Sequence, residues 1–361
     1  MTEAFRPAWW ARSGFAQTVA SVLARPRDRT PLRTEVWDTP DGDFLRLHFV
    51  DAPPGAPTVL LLHGLEGSRE SVYAVETARL CVQRGLRLAI LEFRSCGGVL
   101  NRARRTYHSG ETTDVDFVVR RLAQGGSELF AVGFSLGGNV LLKWLGEQGD
   151  GVPACFVAAA AVSTPFDLEM AARRCDSRWG GVMARHFLRT LIPKAIAKAE
   201  QHPGVVDLAA VRRCRTFAAF DDLVTAPLHG FRDARHYWTD ASCARFLPAI
   251  RRRTLLLASR DDPLIPAAAL PVAAASSSPC LVAEFLPRGG HVGFVAGGSP
   301  WRPRRWAERA CSTSSRRADG YCAGTPRCAR ARPITLFAVT VPRISVPPAM
   351  TSACGRSPCT R

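Results

Sequence analysis

A serine flanked by glycines follows an apolar run in "SELFAVGFSLGGNVLLKWLG", residues 127–146. Gly133-Phe134-Ser135-Leu136-Gly137 has the GxSxG spacing, and the pattern of an amphipathic helix begins immediately after it. A serine on such a strand-to-helix turn has a strained backbone, and the flanking glycines remove the clashes that side chains would make there. This context favours a nucleophilic serine whose hydroxyl attacks an acyl carbon.

A serine nucleophile requires a base, and the base requires an acid that orients it. His291 in "RGGHVGF" follows the last strand-like run, and "ASRDDPLIP" after the preceding run offers Asp261 and Asp262. We favour Asp262 because it directly precedes Pro263, and we interpret Asp261 as a surface or turn residue. The resulting order of Ser, Asp and His along the chain is that of α/β hydrolases.

Acyl transfer also requires two backbone N–H groups that bind the oxyanion. We expect one from Leu136, where the amino terminus of the helix favours negative charge, and the other from Leu65 in "LLLHGLEGS". His63 in this second loop is an alternative base. Its place before Gly64 favours a structural role in shaping the loop.

These residues require strands that end at one edge of a sheet. Strand-like apolar runs occur at 44–50, 58–64, 86–93, 128–134, 155–162, 254–259 and 280–286. Helix-like patterns occupy 69–84, 113–124 and 136–148. This alternation predicts an α/β fold with a doubly wound, mostly parallel sheet, whose sites lie at the carboxyl ends of the strands.

Residues 164–250 interrupt the alternation with helix-like patterning, and we predict an inserted helical cap in a hydrolase domain at 1–303. Weak strands in this insertion are the alternative. Four apolar cap residues could line an acyl pocket or simply pack the cap onto the body: Trp179, Met183, Phe187 and Leu188. We interpret Asp221, Asp222 and His229 as solvated charges rather than as metal ligands.

The formal charge of +17 is unevenly distributed over the 361 residues. Residues 301–361 contain twelve arginines against two carboxylates, Glu308 and Asp319. Because the sequence after 303 has no apolar periodicity, we predict a basic tail at 304–361 that is disordered or the product of an aberrant reading frame. It lacks the interleaved aromatic residues of nucleic-acid-binding modules, so no nucleic acid is expected as a partner.

The remaining composition argues for a cytoplasmic enzyme without cofactors. No apolar run has the length of a membrane span, and the N-terminal sequence has no apolar core of a signal peptide. The twelve cysteines include no CxxC pair, so a zinc site is not indicated. We expect neither a metal ion nor an organic cofactor.

Together the motifs resemble the YheT-like branch of the α/β-hydrolase superfamily. "FRPAWWARSGFAQT", "HGLEGSRESVYA", "GFSLGGNVLLKWLGE", "DDPLIP" and "GGHVGF" occur in the order of that family. The resemblance implies an α/β-hydrolase fold, a serine hydrolase of carboxylic esters, and the triad Ser135, Asp262 and His291. Some relatives act on acylglycerols or phospholipids. The family pattern also includes Tyr107 and His108 in "RTYHSGETTD", for which the sequence suggests no role.

These observations predict an ester hydrolase of the carboxylesterase or acylglycerol-lipase type that forms an acyl-enzyme. Its partner would be a small-molecule acyl ester or a lipid, and a lipid substrate is compatible with transient contact at a membrane surface. Two alternatives stay open: a thioesterase with the same residues, and a catalytically silent binding protein of this fold. The sequence does not determine the acyl chain length, the leaving group or the oligomeric state.

Overall fold

A computed structural model describes residues 4–23, 30–177, 181–300 and 302–310, which are built around one eight-stranded sheet. The strands are β1 (Arg33–Asp38), β2 (Phe44–Val50), β3 (Thr58–Leu62), β4 (Arg87–Glu92), β5 (Leu129–Phe134), β6 (Phe156–Val162), β7 (Arg253–Ser259) and β8 (Leu281–Leu286). Their order across the sheet is β1-β2-β4-β3-β5-β6-β7-β8. Strand β2 pairs antiparallel with both of its neighbours, β1 and β4. All the other neighbouring strands, from β4 across to β8, pair in parallel.

The prediction of a mostly parallel sheet is confirmed, and each of the seven predicted runs forms a strand close to its expected ends. The sequence did not reveal β1. This strand lies at the edge of the sheet, and Trp37 is its one buried residue, so it has no apolar run to detect. The central strands β3 and β5 are buried along their whole length, as continuously apolar strands require.

Helices cover both faces of the sheet, as a doubly wound fold requires. The main helices of the body are α2 (Val72–Gln83), α3 (Thr113–Ala123), α4 (Leu136–Gln148) and α11 (Val272–Ser277). On one face Trp144 of α4 packs with Phe156 in the larger core cluster. On the other face Ala78 of α2 and Phe134 belong to the second cluster. Both faces of the parallel strands are therefore removed from water.

The elements between β6 and β7 are helical throughout the part of this segment that the structure describes. They are α5 (Leu168–Asp176), α6 (Gly181–Gln201), α7 (Leu208–Arg213), α8 (Phe217–Phe220), a π-helical turn (Asp221–Thr225), α9 (Ala226–His229), α10 (Ala234–Ala241) and a 3₁₀ helix (Cys243–Ala249). Leu188, Val211 and Phe220 form a core of their own within these helices. The described residues of this segment thus contain a helical insertion and no strand. The cap boundaries at 164 and 250 stay a prediction.

The two ends of the described chain pack together beside the carboxyl edge of the sheet. Helix α1 (Gly14–Leu23) lies near a hairpin of β9 (Val295–Ser299) and β10 (Arg302–Arg305), which leads into α12 (Trp306–Ala310). Pro7 bridges to Ala296 of β9, and Ala307 is buried. Folded structure therefore continues past 303 to 310, whereas the rest of the expected tail, 311–361, lies outside the described residues. Among the helices of the described part, none has the length and apolar character to cross a bilayer.

Candidate active site

Ser135 occupies a sharp turn between β5 and α4. Its backbone has φ 52° and ψ −120°, a conformation that side-chain-bearing residues rarely adopt. The turn is held by backbone hydrogen bonds from Ser135 N to Val162 O and from Gly138 N to Ser135 O, at 2.8 and 2.9 Å. The strain expected of a nucleophile elbow is thus present at this serine.

The glycines of the motif are required by close backbone packing. A Cβ at Gly133 would overlap the carbonyl of Gly137, and a Cβ at Gly137 would overlap the carbonyl of Leu62 at the end of β3. One at Gly138 would overlap Thr164 Oγ1. The small residues therefore allow α4 to begin directly against the ends of the neighbouring strands.

His291 and Asp262 form a hydrogen-bonded row with Ser135. His291 Nε2 lies 2.9 Å from Ser135 Oγ, and His291 Nδ1 lies 2.9 Å from Asp262 Oδ2. Because a carboxylate can only accept, Nδ1 carries the proton and Nε2 accepts the serine hydroxyl. Asp262 Oδ1 accepts from the N–H groups of Leu264 and Ile265 at 2.8 and 3.1 Å, and the carboxylate is buried. The structure brings the three predicted side chains together.

Asp261 supports the same loop in a different way. Its Oδ1 accepts hydrogen bonds from the N–H groups of Gly289 and Gly290, at 2.8 and 3.1 Å. The side chain thereby fixes the two residues before His291. Asp261 is a turn residue, as the sequence suggested, but its carboxylate holds the histidine loop.

Two contacts of the histidine loop were not foreseen from the sequence. The N–H of His291 donates to Thr18 Oγ1 on α1 at 2.8 Å, and the N–H of Val292 donates to Ser163 Oγ at 2.9 Å. Val292 and Ser163 both have positive φ angles, 52° and 51°. The only sequence signal for Thr18 was the motif "GFAQT" near the N-terminus, which carried no chemistry by itself.

The two expected oxyanion donors, Leu65 and Leu136, meet beside Ser135. Leu136 is the first residue of α4, so its N–H points out of the helix. Gly64, the residue before Leu65, lies so close to the elbow that a Cβ there would be 3.2 Å from Ser135 Cβ. Both leucines line the cavity that Ser135 and His291 line. Both residues therefore lie at the cavity that contains the serine, and their role as oxyanion donors stays a prediction.

A buried polar cluster holds the loop that carries Leu65. Glu66 has a positive φ of 55°, and its N–H donates to Tyr107 Oη at 2.9 Å. Tyr107 Oη in turn donates to Glu66 Oε1 at 2.8 Å, and Lys194 of α6 forms an ion pair with the same carboxylate. Burial raises the pKa of the Tyr107 hydroxyl, so it stays protonated as a donor. This cluster gives Tyr107 the role that the sequence could not supply, and it joins the cap to the loop.

His63 has the structural role that its position suggested. Its Nδ1 donates to Gly64 O at 2.8 Å, and its Nε2 accepts from the N–H of Phe93 at 3.1 Å. Complete burial lowers its pKa to about 4, so the ring is neutral at physiological pH. One nitrogen bonds the loop itself and the other bonds Phe93 after β4, which leaves neither for the serine.

A cavity of about 160 Å³ lies between the carboxyl edge of the sheet and the cap. Its body side includes Leu65, Ser135, Leu136 and His291, and its cap side is mainly apolar, with Phe187, Leu191, Phe217, Phe220, Val224 and Leu228. Of the predicted pocket residues Phe187 lines the cavity, Leu188 packs in the cap core, and Met183 packs against the neighbouring cluster. Trp179 lies outside the described residues.

The interpretation as solvated charges is wrong for His229, which is neutral, and for Asp221. Its carboxylate lines the cavity and accepts hydrogen bonds from Thr225 Oγ1 and Trp238 Nε1 at 2.6 and 2.8 Å. Burial raises its pKa to about 6. Asp222 is exposed, and it accepts from the N–H of Ala234. Both aspartates lie in a π-helical turn, which places Asp221 at the cavity and Asp222 in solvent. The sequence pattern did not indicate this turn.

Two neutral histidines form another wall between body and cap. The rings of His108 and His229 lie 4.5 Å apart, and His108 lines the cavity. Burial lowers the pKa of each imidazole to about 3. His108 Nδ1 accepts from the N–H of Gly110 at 3.1 Å. His108 therefore contributes a neutral, mainly packing surface to the wall of the cavity.

A parallel sheet with a strained serine after β5, an acid after β7 and a histidine after β8 defines the class of α/β hydrolases. The family model for the alpha/beta hydrolase fold matches residues 57–297, and the chain belongs to that family. The resemblance to the YheT-like branch is also confirmed. "Putative esterase YheT" of Escherichia coli (strain K12) is 36% identical over 298 residues, which cover 80% of this chain and 86% of that protein.

Two eukaryotic proteins show similar, more distant relationships. "Phospholipase ABHD3" of Mus musculus is 28% identical over 309 residues, covering 82% of this chain and 74% of that protein. "Monoacylglycerol lipase" of Saccharomyces cerevisiae is 29% identical over 266 residues, covering 71% of this chain and 58% of that protein.

Proposed function

We propose that this protein is a serine hydrolase of carboxylic esters, with Ser135 as nucleophile, His291 as base and Asp262 as the acid that orients the base. The observation that carries the proposal is the continuous row of two 2.9 Å hydrogen bonds from Ser135 Oγ to His291 and on to Asp262. Ser135 and His291 also line the mainly apolar cavity. The names of the relatives, an esterase, a phospholipase and a lipase, agree with ester chemistry.

Acylation begins when Ser135 Oγ attacks the ester carbonyl carbon and its proton passes to His291 Nε2. The buried Asp262 carboxylate stabilises the imidazolium that forms and keeps the Nδ1 proton in place. The tetrahedral intermediate then collapses, and His291 gives the proton to the departing alkoxide. In the second half, His291 takes a proton from a water molecule, which attacks the carbonyl carbon of the acyl-enzyme. His291 then returns the proton to Ser135 Oγ as the bond to the acyl group breaks, which releases the carboxylic acid and free Ser135.

The oxyanion of each tetrahedral intermediate would be bound by the N–H groups of Leu65 and Leu136. The Leu136 N–H also carries the partial positive charge of the α4 amino terminus. Each such donor contributes about 10² to 10³ in rate, because it binds the transition state more strongly than the substrate. No metal ion or organic cofactor enters any of these steps.

The cavity favours an ester with an apolar acyl group of short to medium length. Its cap wall is lined by aromatic and aliphatic side chains, which would bind the acyl chain by burial. A cavity of about 160 Å³ resembles in size the apolar cavity of ~150 Å³ that accommodates benzene, a six-carbon guest. We therefore expect the highest kcat/KM for acyl chains of about four to six carbons.

The test compares the purified protein with Ser135→Ala on p-nitrophenyl esters of increasing acyl length. The parent should hydrolyse them and Ser135→Ala should lose on the order of 10⁶ in turnover. A fluorophosphonate probe should label the parent and leave both Ser135→Ala and His291→Ala unlabelled. Folded parent protein that neither hydrolyses any ester nor reacts with the probe would exclude the hydrolase and favour the binding protein.

The same assays separate ester from thioester chemistry and locate the active domain. Acyl-coenzyme A substrates should be hydrolysed with lower kcat/KM than matched esters, and the reverse ranking would favour a thioesterase. We also propose that residues 1–310 contain the complete hydrolase, because the sheet, the cap and the C-terminal hairpin with α12, where Ala307 is buried, all lie within them. Deletion of 311–361 should leave kcat/KM unchanged, and its loss on deletion would contradict that boundary.

A further inference from the structure

Helix α1 exposes apolar side chains along one face. Phe15, Val22 and Leu23 are 56%, 53% and 76% exposed, and Val19 is partly exposed. Their spacing places all four on the same side of a helix. Trp9, just before the helix, is 68% exposed. We call these five side chains the α1 face.

The opposite side of α1 is polar and is committed to the protein. Gln17 is buried and bonds the N–H and the carbonyl of Val295 at 2.6 and 3.0 Å. Thr18 Oγ1 accepts the N–H of His291, and Ser21 is also buried. A surface helix normally turns its apolar side inward. Here the inward bonds fix the helix in the reverse orientation, so the α1 face stays outside in the part of the chain that the structure describes.

Exposed arginines lie in the segments next to α1. Arg6 and Arg12 are exposed in the segment before the helix. Arg288 donates to the carbonyl of Arg12 at 3.4 Å, so it lies beside them. Arg304 is exposed on β10, in the hairpin to which Pro7 bridges. We call these arginines the positive rim of the α1 face.

Acidic side chains do not balance this charge. Residues 4–23 and 287–300 contain no Asp or Glu, and Glu308, the one carboxylate of 302–310, is buried. Asp261 lies against Gly14, but its carboxylate already accepts two backbone N–H groups of the histidine loop. A partner that binds this surface must therefore offer an apolar region for the α1 face and anionic groups for the arginines.

We propose that the α1 face docks on an anionic lipid bilayer, with its apolar side chains at the headgroup–acyl boundary and the arginines beside lipid phosphates. A bilayer offers both, the acyl chains as the apolar region and the lipid phosphates as the anions. A second copy of the chain fits less well, because it would bring the same arginines face to face. The proposal concerns binding alone and does not depend on the proposed hydrolase activity.

The experiment measures co-sedimentation of the full chain with vesicles of phosphatidylcholine and with vesicles containing one third phosphatidylglycerol. The test variant is Phe15→Ser/Leu23→Ser. The matched control is Val182→Ser/Val272→Ser, which removes two apolar side chains that are 63% and 47% exposed elsewhere. We expect the parent to prefer the anionic vesicles, the test variant to bind them at least about tenfold more weakly, and the control to match the parent.

Three results would overturn the proposal. Equal vesicle binding by the test and control variants would mean that charge alone attracts the protein, including the arginines of 311–361. Absence of binding by the parent would leave the α1 face without this partner. A dimer in gel filtration that dissociates only in the test variant, without vesicle binding, would assign the face to a second copy.

Discussion

Replacing Asp262 by asparagine tests the orienting acid, because its two oxygens have different partners. Oδ1 accepts from the N–H groups of Leu264 and Ile265, and Oδ2 accepts from His291 Nδ1. In Asp262→Asn only one of the two positions is an oxygen. Two fixed backbone donors outnumber one imidazole donor, so we expect the amide oxygen at Oδ1 and the NH₂ group facing His291.

The asparagine would change the tautomer of the His291 imidazole. An NH₂ group opposite Nδ1 requires that nitrogen to accept, which moves the ring proton to Nε2. His291 Nε2 then cannot accept the proton of Ser135. In serine proteases the same change of tautomer lowers kcat by about 10⁴, which corresponds to roughly 5 kcal/mol of transition-state stabilisation. We expect a loss of that size in kcat/KM on p-nitrophenyl butyrate.

Asp261→Asn is the matched control in the neighbouring residue. Its amide oxygen can keep both hydrogen bonds to Gly289 and Gly290, because both use the same oxygen, Oδ1. We expect kcat/KM within about threefold of the parent. Thermal unfolding of both variants shows that they are folded. If Asp262→Asn kept activity within tenfold, or Asp261→Asn lost as much, our assignment of the acid would be refuted.

Three further predictions concern the oxyanion loop, the elbow and acid stability. Tyr107→Phe leaves the N–H of Glu66 without its acceptor, so kcat should fall about tenfold in steady-state assays, and an unchanged kcat would show that other contacts hold the loop. Gly138→Ala should lower the free energy of unfolding in urea by about 1–3 kcal/mol through overlap with Thr164 Oγ1. Adding Thr164→Ala should restore part of that loss, since this buried hydroxyl has no partner among the described residues; no recovery would contradict the overlap. Buried His63 has its pKa lowered to about 4, so its contribution to stability is complete above pH 6.5 and is lost as the pH falls towards 4. Between pH 7.5 and 4.5 the free energy of unfolding should decrease by about 2 kcal/mol more in the parent than in His63→Gln, and equal decreases would mean that His63 is not neutral in the fold.

The central fold and the turn that carries Ser135 could be predicted because they depend on local sequence. A Cβ at Gly133 would overlap the carbonyl of Gly137 within the turn itself, and apolar runs such as β3 and β5 must be buried on both faces. Strand β1 and helix α1 escaped prediction because their apolar pattern is weak or inverted. For α1 the reason is physical: its inward side combines small alanines with the buried polar residues Gln17, Thr18 and Ser21, while its larger apolar residues face outward.

The sequence by itself determined the order of Ser135, Asp262 and His291 along the chain and the strands after which they stand. Only the tertiary structure decided which oxygen of which aspartate faces the imidazole, since Asp261 and Asp262 are neighbours with the same chemistry. It also decided that Thr18 holds the loop of His291 across 273 residues. Such contacts depend on how distant segments meet in three dimensions, and no local pattern of residue types records that meeting.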